Sequence, residues 1–105
     1  MDIRNILELT TKGFSKEVFE ELAANEKVHI ERIISTGQST PEGEWLRQEK
    51  SEFVLLVSGR AGLQIKGQEE VELKPGDNVV IPPNTEHRVA FTQKEPATIW
   101  LAVHY

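Results

Sequence analysis

The chain has 105 residues, 28% of them charged, and a formal net charge of −5. That length suits one domain over residues 1–105, able to bury roughly two-thirds of its unfolded surface without staples. The absence of cysteine excludes disulfides, thiolate metal sites and a cysteine nucleophile, and the acidic balance disfavours a nucleic-acid partner.

No apolar run approaches the roughly 20 residues of a membrane span. Met1-Asp2-Ile3-Arg4-Asn5 lacks the basic-then-apolar pattern of a secretory signal. The expected location is therefore the cytoplasm, with no membrane partner. Ile3 to Leu9 reads equally as an edge strand or a helical turn. After a break at Thr10 to Gly13, Ser15 suits an N-cap, Glu17 suits the first turn, and Phe14 can staple onto Phe19. Val18, Phe19, Leu22 and Ala23 form a stripe at helical spacing, which predicts one short N-terminal helix over Lys16 to Ala24. Residues 1–26 are then an N-terminal segment and helix, and 27–105 a barrel.

From Val28 the grammar becomes that of strands. Val28 to Ser35 is rich in isoleucine, Thr36 to Gly43 is a polar loop, and Glu44 to Lys50 reads as extended. Phe53 to Ser58 and Ala61 to Lys66 are strands broken by Gly59, and Val71 to Leu73 follows a turn at Gly67 to Glu69. Ala97 to Tyr105 is the last strand, apolar on both faces. Turn signals every 8–12 residues or so mark a sandwich or barrel. His29, beside Lys27 and Glu31, reads as a surface group. Glu69 and Glu70 read as a solvated hairpin tip.

The most informative stretch is Pro75 to Phe91. Lys74-Pro75-Gly76-Asp77 suits a type II turn, with proline presetting φ and glycine supplying the positive φ. Asn78 to Ile81 is a short β-branched strand. Pro82 and Pro83 end it, and Asn84 tolerates the left-handed conformation needed for the reversal. From Glu86 the chain alternates again. His87, Val89 and Phe91 fall on one face, and Arg88, Ala90 and Thr92 on the other, so His87 points inward.

Gly76, Pro82, Asn84 and His87 are separated by five, one and two residues. This spacing resembles the second motif of the cupin superfamily, with Asn84 where the pattern has glycine and Phe91 where it has asparagine. The first motif is visible as Glu52, six residues and Gly59, with Leu46 and Gln48 where the pattern has two histidines. The resemblance covers residues 28–105, closest to small single-domain bacterial cupins. It implies an all-β fold, an antiparallel jelly-roll β-barrel (a double-stranded β-helix) of six to eight strands, and a homodimer. The Gly59 to Gly62 segment resembles the hairpin corner that follows the first motif.

In an unbroken strand Leu46, Gln48, Lys50 and Glu52 share one face, which Val54 and Leu56 continue. Gln48 and Glu52 then face His87. A histidine nitrogen, a carboxylate oxygen and an amide oxygen form an incomplete ligand set for a divalent ion such as Fe, Mn, Ni or Zn. Trp45, Phe91, Trp100 and His104 are candidates to line a small-molecule pocket. Two functions stay open: a cupin binding a divalent metal and a small molecule, or a metal-free binding, structural or regulatory barrel. No Walker loop, Gly-x-Gly-x-x-Gly or His-Glu-x-x-His is present, and no catalytic residue or reaction is assigned.

Overall fold

The β-branched and apolar runs form eight strands in a computed structural model that describes residues 1–9 and 15–105. They are β1 (Val18–Ala24), β2 (His29–Ser35), β3 (Glu52–Ser58), β4 (Ala61–Ile65), β5 (Val71–Leu73), β6 (Asn78–Ile81), β7 (His87–Thr92) and β8 (Thr98–His104). One sheet has the order β1-β2-β8-β3-β6 and the other β5-β4-β7. Every pairing is antiparallel. The jelly-roll barrel expected from the sequence is the architecture observed. Among the described residues no helix is long and apolar enough to cross a membrane.

The expected helix over Lys16 to Ala24 is instead strand β1, and no helix occurs among the described residues. Phe14, the proposed staple, lies outside them. β1 pairs with β2 from Val18 opposite Ile34 to Ala24 opposite His29, with an irregularity between Glu21 and Ala23. The tertiary reason is the sheet edge. Without β1, the outer edge of β2 presents a row of unpaired backbone groups. Helix preferences differ by at most about 0.7 kcal/mol per ordinary residue, too little to outweigh a whole ladder.

The N-terminal segment takes a turn at Ile6 and Leu7 rather than a strand. Arg32 holds it. Its Nη1 donates to the carbonyls of Ile6 (3.0 Å) and Glu8 (2.6 Å), and its Nη2 to Glu20 (2.7 Å).

The core lies between the sheets and contains Val54, Leu56, Ala61, Leu63, Leu73, Ile81 and Trp100. Phe19, Ile33, Trp100 and Leu56 form one row across the larger sheet. The Pro75-Gly76 turn forms as expected, with Gly76 at φ +97° and Asp77 N–H donating to Lys74 O at 2.9 Å. Asn84 takes φ +57°. Gly59 differs from expectation. β3 and β4 belong to different sheets, so Gly59 marks a crossing and not a hairpin. At φ +85°, a Cβ there would sit 2.7 Å from Thr98 Cα.

The alternation read along β7 also needs correction. Gly62 pairs with Phe91 but Leu63 with Val89, so Ala90 is an extra residue in the strand. Such a bulge reverses the facing of everything after it. His87 stays buried, Phe91 becomes 36% exposed, and Thr92 is buried. The Phe91 ring lies over Gly62, where an added Cβ would meet it at 2.7 Å.

Candidate functional site

Register places the polar groups of the site. Ala24, His29, His104, Glu52 and Ile81 are successive partners across the five-stranded sheet. Glu31 lies two residues along β2 from His29 and so shares its face. Glu31, Glu52, His104 and Ile81 line a cavity of about 300 Å³ whose apolar wall includes Ile33, Val54, Leu63, Val89 and Trp100.

His87 enters from the opposite sheet. Its backbone exchanges hydrogen bonds with Leu46, at 2.7 and 3.0 Å. Its Nδ1 lies 2.8 Å from Thr85 O. A carbonyl can only accept, so Nδ1 carries a hydrogen, and whenever the ring is neutral its Nε2 is bare. That atom lies 3.8 Å from Glu52 Oε1, with both side chains nearly buried. With the ring neutral, two electron-rich atoms face each other there. Two donors each about 2.0–2.2 Å from one ion stand about 3–4 Å apart, so this gap fits a divalent cation.

Glu52 is the centre of the array. Its Oε1 accepts from Gln48 Nε2 at 3.0 Å, and its Oε2 lies 3.6 Å from His104 Nε2. The unbroken strand expected from Leu46 to Glu52 is not present. The chain bends at Glu49 and Lys50, and β3 begins at Glu52. Gln48 still reaches Glu52, but with its amide nitrogen, so coordination through oxygen requires the amide to rotate.

The structure thus brings Gln48, Glu52, His87, Trp100 and His104 to one cavity. Trp45 and Phe91 are not among its lining residues. Trp45 packs beneath the Lys66 ammonium, 5.8 Å from the ring centroid. The bulge turns Phe91 away.

The sequence reading missed Glu31 and placed His29 on the surface. His29 is half-exposed but stacks on His104, with ring centroids 5.7 Å apart. Glu31 Oε1 lies 3.1 Å from His104 Nε2. One donor atom each from His29, Glu31 and His104 fall within 4.8 Å of one another, a group able to hold a metal ion. The parity of His29, Glu31 and Ile33 along β2 was the available signal. It lacked the neighbour, β8, that gives the face its meaning.

A family model described as a cupin domain matches residues 33–104. A crystal structure from Ralstonia eutropha JMP134, of a protein provisionally named a mannose-6-phosphate isomerase, is 37% identical with a TM-score of 0.94. That alignment covers 99% of this chain and 97% of the other. A cupin superfamily protein from Desulfitobacterium hafniense DCB-2 is similar at 16% identity and TM-score 0.74, covering 90% and 81% of the two chains. An RmlC-like cupin with a double-stranded β-helix fold, from Methanocaldococcus jannaschii, is similar at 19% identity and TM-score 0.69, covering 91% and 85%. The comparison with curated proteins found no match.

Proposed function

This chain belongs to the cupin domain family, and from that premise we propose that its barrel binds a divalent metal ion and a small molecule in the cavity bordered by Glu52 and His87. The observation that carries this reading is the nearly buried Nε2 of His87 facing the Glu52 carboxylate at 3.8 Å, with Nδ1 already bonded to Thr85 O. Thr85 O fixes the imidazole tautomer, as outer partners of metal-binding histidines do. Glu52 and His87 would hold the ion, and Gln48 would assist after rotation of its amide. Such an ion supplies Lewis-acid polarisation of an oxygen on the bound molecule. Trp100, Val54 and Val89 present apolar surface to that molecule and exclude water.

Three carboxylates, Glu17, Glu31 and Glu52, line the cavity against one guanidinium, Arg47. That excess of carboxylate suits a dication, whose charge would offset it. Calorimetric titration of chelator-stripped protein with Mn²⁺, Ni²⁺ and Zn²⁺ tests the metal. Saturable binding that His87→Ala weakens is expected. No binding, or binding indifferent to His87→Ala, overturns the reading.

A second reading is a metal-free binding barrel. It is favoured by the Gln48 amide, which already satisfies Glu52 Oε1 with a hydrogen bond. Small-molecule stabilisation unaffected by chelator selects it. We also propose a homodimer. Leu101 and Val103, on the outer face of β8, are only half-buried, and Tyr105 is 51% exposed. Sedimentation equilibrium giving a monomer at micromolar concentration would exclude it.

A further inference from the structure

We propose that the barrel mouth holds a second divalent cation, bound by His29, Glu31 and His104, beside the Glu52–His87 position. Two imidazoles and a carboxylate form a donor set that suits zinc, nickel, cobalt or ferrous iron better than magnesium or calcium. The three side chains come from β2 and β8, which pair without irregularity from His29 opposite His104 to Ser35 opposite Thr98. The site therefore stands on a rigid ladder and not on a loop. His29 and His104 are direct partners in that ladder, and their rings stack at 24°. Glu31 reaches both: its Oε1 lies 3.1 Å from His104 Nε2 and its Oε2 lies 4.0 Å from His29 Nδ1.

Glu21 lies on the far side of the His29 ring. Its Oε1 lies 3.5 Å from His29 Nε2. A carboxylate there favours the hydrogen on Nε2 and leaves the Nδ1 lone pair directed to the Glu31 side, the outer-partner arrangement of ligating histidines. The site is also reachable: the His29 side chain is 38% exposed, while those of Glu31 and His104 are 13% and 18% exposed. Solvent can thus supply the remaining ligands. For an ion to take His104 Nε2, the hydrogen of a neutral ring must sit on Nδ1, so the contact with Glu31 is exchanged for a bond from each to the ion.

Glu52 lies between the two positions, with Oε1 3.8 Å from His87 Nε2 and Oε2 3.6 Å from His104 Nε2. One carboxylate thus faces a histidine of each site. The two positions share Glu52 as a neighbour but use different histidines, so variants at His87 and at His29 tell them apart.

The test is Zn²⁺ titration of the chelator-stripped full chain, with stoichiometry read by calorimetry and by elemental analysis after desalting. Two ions per chain are expected. His29→Asn and Glu31→Gln should each weaken one of them by more than the about 10- to 100-fold that loss of an outer partner costs, and leave the other unchanged. A single ion indifferent to both variants overturns the second site and leaves the Glu52–His87 reading standing. If His87→Asn leaves both ions in place while His29→Asn removes one, the second site stands and the first reading fails. Absence of any Zn²⁺ binding overturns both.

Discussion

At the scale of single residues, His87 and Gly59 show how little freedom the fold leaves. The His87 ring is held at Nδ1 by Thr85 O and its backbone is paired with Leu46, so Nε2 has one direction available. His87→Gln keeps polarity but loses the imidazole donor. It is expected to weaken divalent-ion binding at the Glu52 position by more than the about 10- to 100-fold that loss of an outer partner costs. The melting temperature of the metal-free protein should change much less, which a chelator-matched thermal scan would show. Gly59 is needed for a different reason. It combines φ +85° with a Cβ direction blocked by Thr98 Cα at 2.7 Å. Thr98 cannot retreat, because its Oγ1 donates to Gln93 O at 2.8 Å and accepts from Gln93 N–H at 3.0 Å. Gly59→Ala should cost about 2–4 kcal/mol, the sum of a strained backbone and a forced shift, read as a lower urea midpoint.

At the scale of elements, one buried side chain ties β1 and the N-terminal turn to β2 in addition to the β1–β2 ladder. Arg32 is 8% exposed and joins β2 to Glu20 on β1 and to the carbonyls of Ile6 and Glu8. Arg32→Met keeps the apolar stem but leaves those carbonyls and Glu20 without their donor. The expected loss is about 2–3 kcal/mol, as for charge-assisted hydrogen bonds. It should be uneven, with amide exchange accelerating in the N-terminal turn and β1 before β8 is affected. Uniform acceleration across both sheets would contradict this placement. The element is also where sequence and structure part. Val18, Phe19, Leu22 and Ala23 have helical spacing, yet the segment is an edge strand because β2 offers it a ladder.

At the scale of the molecule, the two sheets meet over Leu56, Trp100 and Ile81, and the site row lies at the open end of that core. Leu56 is fully buried, so Leu56→Ala should cost about 2–5 kcal/mol by loss of burial and by the cavity it leaves. Ion binding acts in the opposite direction. A metal at a hundred times its dissociation constant stabilises the fold by about 2.7 kcal/mol. Each kcal/mol shifts the melting point of a domain near this size by about 4–8 °C, so about 10–20 °C should be gained and then lost on adding chelator. Because Glu52 faces both His87 and His104, Glu52→Gln should reduce this gain more than either His87→Gln or His29→Asn alone.

The barrel from Val28 onward and its turns at Gly67, Pro75-Gly76 and Asn84 were legible in the sequence, whereas the approach of Gln48 to Glu52 was expected from an unbroken strand that the fold does not contain. The legible features rest on local grammar: β-branched runs, residues that accept positive φ, and a spacing shared with cupins. Only the tertiary structure decided that residues 18–24 form a strand, that Ala90 is a bulge which turns Phe91 away, and that Trp45 lies beside Lys66. It alone brought His29 and Glu31 to His104, which lies 73 positions along the chain from Glu31. The physical reason is common to these cases. Strand pairing is a long-range choice of partner and register, and a face acquires its chemistry only when the neighbouring strand is known.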